Sequence, residues 1–262
     1  MEITCIQMAV AFGDPKTNFE NVATKIKTAA QTGADVIILP EMWNTGYALT
    51  ELATIADEEG KETQYLLSKL AEQLKVNIIG GSVAVKEEGE FYNRTYVYDR
   101  TGKLLSQYDK VHLFGLMAED KYLTVGRMEH LFELDGIKQS SSICYDLRFS
   151  EWQRHHALKG AHVLYVPAQW PEPRLHHWRT LLQARAIENQ CFVVGINVCG
   201  NNPENIFAGH SLIVNPWGEI IAEADAEERF LSANLELEQV AEARGRIPVF
   251  ADRRPELYQL DK

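Results

Sequence analysis

The sequence predicts an α/β fold with mixed β-sheets. Apolar segments of strand length alternate with amphipathic segments of helix length along most of the chain. Several neighbouring strands are joined by short turns that contain glycine, which indicates antiparallel hairpins among the parallel strands. Two mixed sheets packed face to face, with the helices outside, would bury all of the apolar strands.

The first half of the chain shows the alternation clearly. Its first helix places Phe19, Val22 and Ile26 at helical spacing, and Gly33 is a suitable stop signal. A buried strand follows and ends at Pro40. The expected elements are a strand at 3–10, a helix at 16–32, a strand at 34–39, a helix at 61–74, a strand at 76–85, and a hairpin of strands at 91–99 and 104–113.

The second half repeats this pattern. Its expected elements are a hairpin of strands at 130–134 and 138–145, a helix at 150–160, a strand at 161–168, a helix at 176–189, a strand at 191–198, a hairpin of strands at 209–214 and 219–224, a strand at 230–235 and a helix at 237–245. The sequence has no linker-like segment and no obvious repeat, so it predicts a single domain over 1–262.

Composition limits the partners of this chain. Of its 262 residues, 26 are Lys or Arg and 37 are Asp or Glu, so the net charge is −11. We expect no nucleic-acid partner, because such an acidic surface repels a phosphate backbone. We also expect no membrane partner, because the apolar runs are far shorter than the ~20 residues of a span and no signal peptide is evident. The four cysteines form no CxxC pair, which favours a reducing, cytoplasmic setting.

Cys144 is the first residue with catalytic potential. A predicted strand runs into it, and a polar turn and a helix follow, so the thiol is expected at the carboxyl end of a strand, where ligands collect in α/β proteins. A nearby cation or helix N-terminus would lower the thiol pKa. The alternative is an inert core cysteine, and that is our interpretation of Cys5, Cys191 and Cys199.

Two further charged residues stand beside apolar strands. Glu41 closes the strand at 34–39 and is either an acid/base group or an ordinary loop carboxylate. Lys110 is flanked by apolar residues and either extends to solvent or stabilises an oxyanion.

Together these residues resemble the Glu-Lys-Cys triad of the nitrilase superfamily, the carbon–nitrogen hydrolases. The segments LPEM at 39–42, DKVHLF at 109–114 and ICYDLRF at 143–149 occur in the family's order. Further similarities run from Asn18 to the NPWG segment at 215–218, so the resemblance covers nearly the whole chain.

The resemblance implies a four-layer α-β-β-α sandwich that assembles as a homodimer or larger homo-oligomer, with the helix at 176–189 at the subunit contact. It also implies hydrolysis of a small-molecule amide through a thioester on Cys144. Lys110 and the backbone N–H of Tyr145 would hold the oxyanion, and Glu41 would be the base. Neither a metal nor an organic cofactor is expected.

The remaining expectations concern the second acid and the substrate. Glu119 is similar to the family's second glutamate, with Asp120 or a surface acid as the alternative. The CYDLRF segment at 144–149 resembles the omega-amidase branch, which implies 2-oxoglutaramate or a related dicarboxylic acid monoamide as the substrate. Arg174 would then bind the substrate carboxylate, or face solvent. Tyr47 and Trp170 would line the pocket, or serve only in packing.

Three other functions are weighed against this one. An N-carbamoyl-amine hydrolase of the same superfamily would use the same triad. An inactive interaction scaffold would keep only the fold. A metal hydrolase could use the histidine pairs at 155–156 or 176–177, but the HExxH spacing is absent, and we interpret these histidines as surface or partner-facing.

Overall fold

A computed structural model describes residues 1–258, and the last four residues of the predicted domain 1–262 lie outside the described part. The strands are β1 (Glu2–Gln7), β2 (Val36–Ile38), β3 (Asp57–Glu58), β4 (Asn77–Ile79), β5 (Val83–Glu87), β6 (Glu90–Tyr98), β7 (Leu104–Asp109), β8 (Leu131–Leu134), β9 (Ile137–Ser141), β10 (Val163–Ala168), β11 (Phe192–Asn197), β12 (Leu212–Val214), β13 (Ile220–Glu223) and β14 (Arg229–Asn234). The helices are α1 (Pro15–Ala30), α2 (Leu52–Ile55), α3 (Lys61–Leu74), α4 (Glu119–Tyr122), α5 (Ser150–Leu158), α6 (Leu175–Asn189) and α7 (Glu238–Arg246).

The strands form two mixed sheets. The first has the order β14-β1-β2-β4-β6-β5-β3, and β7 also pairs with β6. The second has the order β13-β12-β11-β10-β9-β8. Parallel pairs such as β1 with β2 and β10 with β11 stand beside antiparallel pairs such as β5 with β6 and β8 with β9. The predicted mixture of parallel strands and hairpins is confirmed.

The apolar residues of each strand divide between two layers of core. Val36 and Ile38 of β2 pack in the layer between the sheets, whereas Ile37 packs on the opposite face, against the residues of α1 and α3. In β10, Val163 faces the central layer, and Leu164 packs with α6. Because side chains alternate along a strand, each sheet is covered on both faces. The four-layer α-β-β-α sandwich is therefore confirmed.

The predicted strand at 76–85 is two strands, because the chain turns sharply between β4 and β5. Gly81 has φ +62°, and a Cβ at this position would collide with the carbonyl oxygen of Pro40. The next residue, Ser82, bonds the same loop. Its N–H donates to the Pro40 carbonyl oxygen at 3.0 Å, and its hydroxyl accepts the Met42 N–H at 3.0 Å. The turn between β4 and β5 thus holds the loop that carries Glu41.

Three other predicted strands are too long at their carboxyl ends. The strand at 3–10 ends at Gln7, and the strand at 138–145 ends at Ser141. The strand at 104–113 ends at Asp109, so Lys110 lies in the following loop. The short elements α2, β3 and α4 were not predicted. Within residues 1–258, no helix has both the length and the apolar character needed to cross a membrane.

The interpretation of the paired histidines as surface residues is wrong for one of them. His156 is fully buried and its Nε2 accepts the N–H of His130, which is also fully buried. His155, one residue earlier, is exposed and bonds Glu129. Among residues 1–258, no three side chains of His, Cys, Asp or Glu are grouped as metal ligands would be.

Burial lowers the pKa of His130 to about 3 and that of His156 to about 4. The folded protein keeps both rings neutral, whereas the unfolded chain binds protons near pH 6.5. The free energy of unfolding should therefore decrease as pH falls below about 6.5, and each histidine contributes about 2 kcal/mol of that loss between pH 7 and pH 5. In His156→Gln, the free energy of unfolding, measured with urea, should fall between pH 7 and pH 5 by about 2 kcal/mol less than in the wild type. The matched variant His155→Gln should keep the wild-type loss, and equal losses in both variants would contradict the account.

Candidate active site

The three residues of the predicted triad lie just beyond strand ends, where the two sheets meet. Glu41 follows β2, Lys110 follows β7, and Cys144 follows β9. Glu41 and Lys110 are fully buried, and Cys144 is 5% exposed. The structure brings the three together around the Lys110 ammonium, because the loops after these strands converge there.

Lys110 lies between two glutamate side chains. Its Nζ donates to Glu41 Oε1 at 2.8 Å and to Glu119 Oε1 at 2.7 Å. Burial alone would lower the pKa of Lys110, but the negative charges of Glu119 and Glu41 outweigh burial and raise it. The side chain is therefore a fixed cation and does not extend to solvent.

The two carboxylate oxygens of Glu41 accept different numbers of hydrogen bonds. Oε1 accepts from the Tyr47 hydroxyl at 2.7 Å, from Asn93 Nδ2 at 2.9 Å and from Lys110. Oε2 accepts one bond, from the N–H of Gln169 at 2.8 Å. Since a carboxylate oxygen offers about two acceptor sites, Oε1 is saturated and Oε2 keeps one free. A proton arriving at this group has room only at Oε2.

Glu119 is the second acid of the cluster. It begins α4 and is fully buried, whereas its alternative, Asp120, is exposed. Oε1 contacts Lys110 and the Tyr47 hydroxyl, and Oε2 accepts the Phe114 N–H at 2.6 Å. Burial raises the pKa of Glu119; the charge of Lys110 opposes this and that of Glu41 adds to it, and the net direction is upward.

Cys144 starts a tight turn, Cys144–Arg148, with φ +45°. A non-glycine residue seldom adopts this backbone conformation, and such conformations cluster at functional sites. Burial raises the pKa of the thiol well above its usual value, and the charge of Glu41 adds to this, although Lys110 lowers it. The cation acts in the expected direction but does not prevail, so the resting group is a neutral thiol that needs a base.

Asp146 is a site residue that sequence reasoning missed. It is fully buried, and its Oδ2 accepts the Ile143 N–H and the Tyr108 hydroxyl, both at 2.8 Å. Its Oδ1 accepts the His112 N–H at 3.0 Å and bonds His112 Nδ1 at 2.7 Å. Asp146 therefore ties the turn of Cys144 to the chain on both sides of Lys110. The available signal was its place in ICYDLRF, two residues after the cysteine.

A small cavity opens onto Cys144. Trp170 lines it, and the indole Nε1 donates to the carbonyl oxygen of Arg174 at 2.8 Å. Tyr145 also lines it, and within residues 1–258 no acceptor takes the backbone N–H of Tyr145. Tyr47 does not line the cavity; it lies behind it, against Glu41 and Glu119.

Two guanidinium groups line the cavity. Arg174 lies 5.6 Å from the Phe114 ring, and Arg148 lies 4.7 Å from the Trp170 ring. Burial lowers the pKa of Arg148, and the charge of Arg174 adds to this. Neither guanidinium forms an ion pair with a carboxylate of residues 1–258. Sequence reasoning singled out Arg174 but not Arg148, which stands in ICYDLRF.

The sequence profile of the carbon–nitrogen hydrolases matches residues 2–245. The chain belongs to the carbon–nitrogen hydrolase family. A curated relative, the 2-oxoglutaramate amidase of Bacillus subtilis (strain 168), is 48% identical over 256 residues, which cover 98% of each chain. The human omega-amidase NIT2 is 32% identical, over 93% of this chain and 92% of that protein.

Solved structures agree with this assignment. Nit3 of Saccharomyces cerevisiae, described as a member of branch 10 of the nitrilase superfamily, superposes with a TM-score of 0.90. It is 28% identical, over 97% of this chain and 96% of that one. The family and fold predicted from the sequence are both confirmed.

Asp146→Asn should weaken both the fold and the reaction. An amide has one acceptor oxygen and a donor NH₂, so it cannot satisfy the N–H groups of Ile143 and His112 together. We expect a loss of about 1–3 kcal/mol in the free energy of unfolding and a clear fall in kcat, measured by denaturant titration and by steady-state kinetics. Asp120→Asn, at an exposed carboxylate, is the control. Wild-type stability in Asp146→Asn would refute this role.

Proposed function

We propose that this protein is an omega-amidase, which hydrolyses the terminal amide of 2-oxoglutaramate or a related dicarboxylic acid monoamide to a carboxylate and ammonia. The observation that carries the proposal is a cysteine beside a buried Lys110–Glu41 pair, in a small cavity that also holds two guanidinium groups without carboxylate partners. The 2-oxoglutaramate amidase that is 48% identical supports the same substrate.

The first half-reaction forms a thioester on Cys144. The Sγ attacks the amide carbon while its proton passes to Glu41 Oε2, the oxygen with a free acceptor site. The carbonyl electron pair moves onto oxygen, and this oxyanion is held by the Lys110 ammonium and the Tyr145 N–H, donors typically worth a few kcal/mol each. The C–N bond then breaks, and Glu41 gives its proton to the leaving nitrogen, so ammonia departs.

The second half-reaction reverses the proton demand. Glu41 takes a proton from water as the water oxygen attacks the thioester carbon. The oxyanion forms against the same two donors. When the C–S bond breaks, the thiolate recovers the proton from Glu41 and the carboxylic acid product leaves. One base therefore serves both half-reactions.

Charge selects the substrate. The far carboxylate of a dicarboxylic acid monoamide would pair with Arg174 and Arg148, since a guanidinium binds a carboxylate bidentately. Trp170 would form the wall between them. An N-carbamoyl amine with a distal ammonium would instead meet two positive charges, which disfavours this alternative within the family.

We further propose that the chain acts as one domain, 1–262, in a cytoplasmic homodimer or higher homo-oligomer. All four cysteines are free and buried, as is usual for proteins of a reducing compartment. The family resemblance supports the assembly, with α6 at the subunit contact.

Cys144→Ala should lower ammonia release from 2-oxoglutaramate by at least about a thousandfold, because removal of the nucleophile leaves only binding and oxyanion stabilisation. The matched control is Cys199→Ala, which removes another buried thiol outside the cluster. Circular dichroism should show both variants folded. Full activity in Cys144→Ala would contradict the mechanism. Inactivity of the wild type on both amides and carbamoyl amines would favour the inactive scaffold.

Arg174→Met should raise KM for 2-oxoglutaramate about 10- to 150-fold, since a hydrogen bond to a charged group contributes about 1.5–3 kcal/mol. Turnover of a neutral aliphatic amide should change little. Arg179→Met is the control, because Arg179 lies on α6 and pairs with Glu223 outside the cavity. An equal loss on both substrates would show that Arg174 supports the fold and does not read the carboxylate.

A further inference from the structure

The Tyr47 hydroxyl contacts two carboxyl oxygens but has only one proton to donate. Its hydroxyl lies 2.7 Å from Glu41 Oε1 and 2.5 Å from Glu119 Oε1. Burial raises the pKa of Tyr47 well above its usual value, so the phenol is neutral. A neutral phenol carries one proton and donates to one acceptor. The second short contact therefore needs a proton that belongs to a glutamate.

The net charge of the cluster leads to the same requirement. Glu41, Glu119 and Lys110 have no exposed side-chain surface. If both glutamates were ionised, one negative charge would remain uncompensated in the interior, which is costly. One added proton makes the cluster neutral, with Glu41 or Glu119 as the carrier.

The hydrogen bonds identify the carrier. Glu41 accepts bonds from four donors, which are Lys110, Tyr47, Asn93 Nδ2 and the Gln169 N–H. Without Tyr47, Glu119 has only two, Lys110 and the Phe114 N–H. Because donated hydrogen bonds stabilise the ionised form, Glu41 is the carboxylate and Glu119 is the acid.

We propose that Glu119 is a neutral carboxylic acid whose proton is donated to Tyr47, and that Tyr47 in turn donates to Glu41 and keeps it ionised. Tyr47 is then a positioning residue and not a wall of the substrate pocket. The inference rests on the proposed role of Glu41 as the base. No net proton is consumed, because Glu119 and Tyr47 each keep one proton through the cycle while Glu41 gains and returns its own.

Infrared spectroscopy tests the proton without turnover. At neutral pH, the wild type minus Glu119→Gln difference spectrum should contain the carbonyl band of one neutral carboxylic acid. The corresponding difference for Asp120→Asn, which changes the neighbouring exposed carboxyl group, should lack it. If the Glu119→Gln difference shows only carboxylate bands, the proposal is overturned. This readout stays valid if 2-oxoglutaramate proves to be the wrong substrate.

Tyr47→Phe tests the link to the base. Loss of the hydroxyl removes one donor from ionised Glu41, so the acid limb of the kcat/KM profile should move to higher pH by at least about half a unit. We expect kcat near neutral pH to fall about 10- to 100-fold, with KM changed less than about threefold. An unmoved acid limb in a folded Tyr47→Phe protein contradicts the proposal. If that variant does not fold, the infrared result for Glu119→Gln decides.

Discussion

The burial of the Lys110 ammonium between the side chains of Glu41 and Glu119 is the constraint on which the site depends. A cation without solvent is tolerated only when its protons find acceptors, and here Glu41 and Glu119 supply them at 2.8 and 2.7 Å. The two acids come from distant loops, so the ion cluster fixes the position of both. Removal of one partner from such a cluster typically costs about 3–5 kcal/mol. In the proposed mechanism, Lys110 and Glu41 of this cluster also supply the oxyanion donor and the base.

The sheets explain why this cluster forms where it does. The loop of Glu41 is held against the turn between β4 and β5, where Gly81 lets the chain pass close to Pro40. The loop of Cys144 is held by Asp146, which reaches the segment around Lys110. The loops of Glu41 and Cys144 are therefore placed by contacts with neighbouring turns and loops of the two sheets. The raised pKa of the Cys144 thiol disfavours the reactive thiolate. In the proposed mechanism Glu41, in the same cluster, accepts the thiol proton.

The sequence predicts the fold well, because its strands and helices have clear periods and the family motifs are present in order. The prediction fails where a turn interrupts a continuous apolar segment. The run at 76–85 reads as one strand, but only the folded chain shows that Gly81 must pass Pro40 there. Lys110 has apolar neighbours, yet its burial depends on Glu119, which approaches through a tertiary contact.

The site residues divide in the same way. Glu41, Lys110 and Cys144 stand in motifs, so the sequence points to them directly. Asp146 and Arg148 share the motif of Cys144, but their roles depend on partners that only the fold supplies. Tyr47 looks like a pocket aromatic in the sequence, whereas its hydroxyl contacts two buried acids. Spacing alone does not show which way a side chain points.

In the proposed mechanism Cys144 carries the acyl group during turnover, and this intermediate can be trapped. The wild type would be mixed with 2-oxoglutaramate, quenched in acid within the first turnovers, and analysed by intact mass and peptide mapping. We expect an added mass equal to the substrate minus ammonia, located on Cys144 and absent from Cys5, Cys191 and Cys199. Ammonia release without any adduct on Cys144, or an adduct on another cysteine, would contradict it.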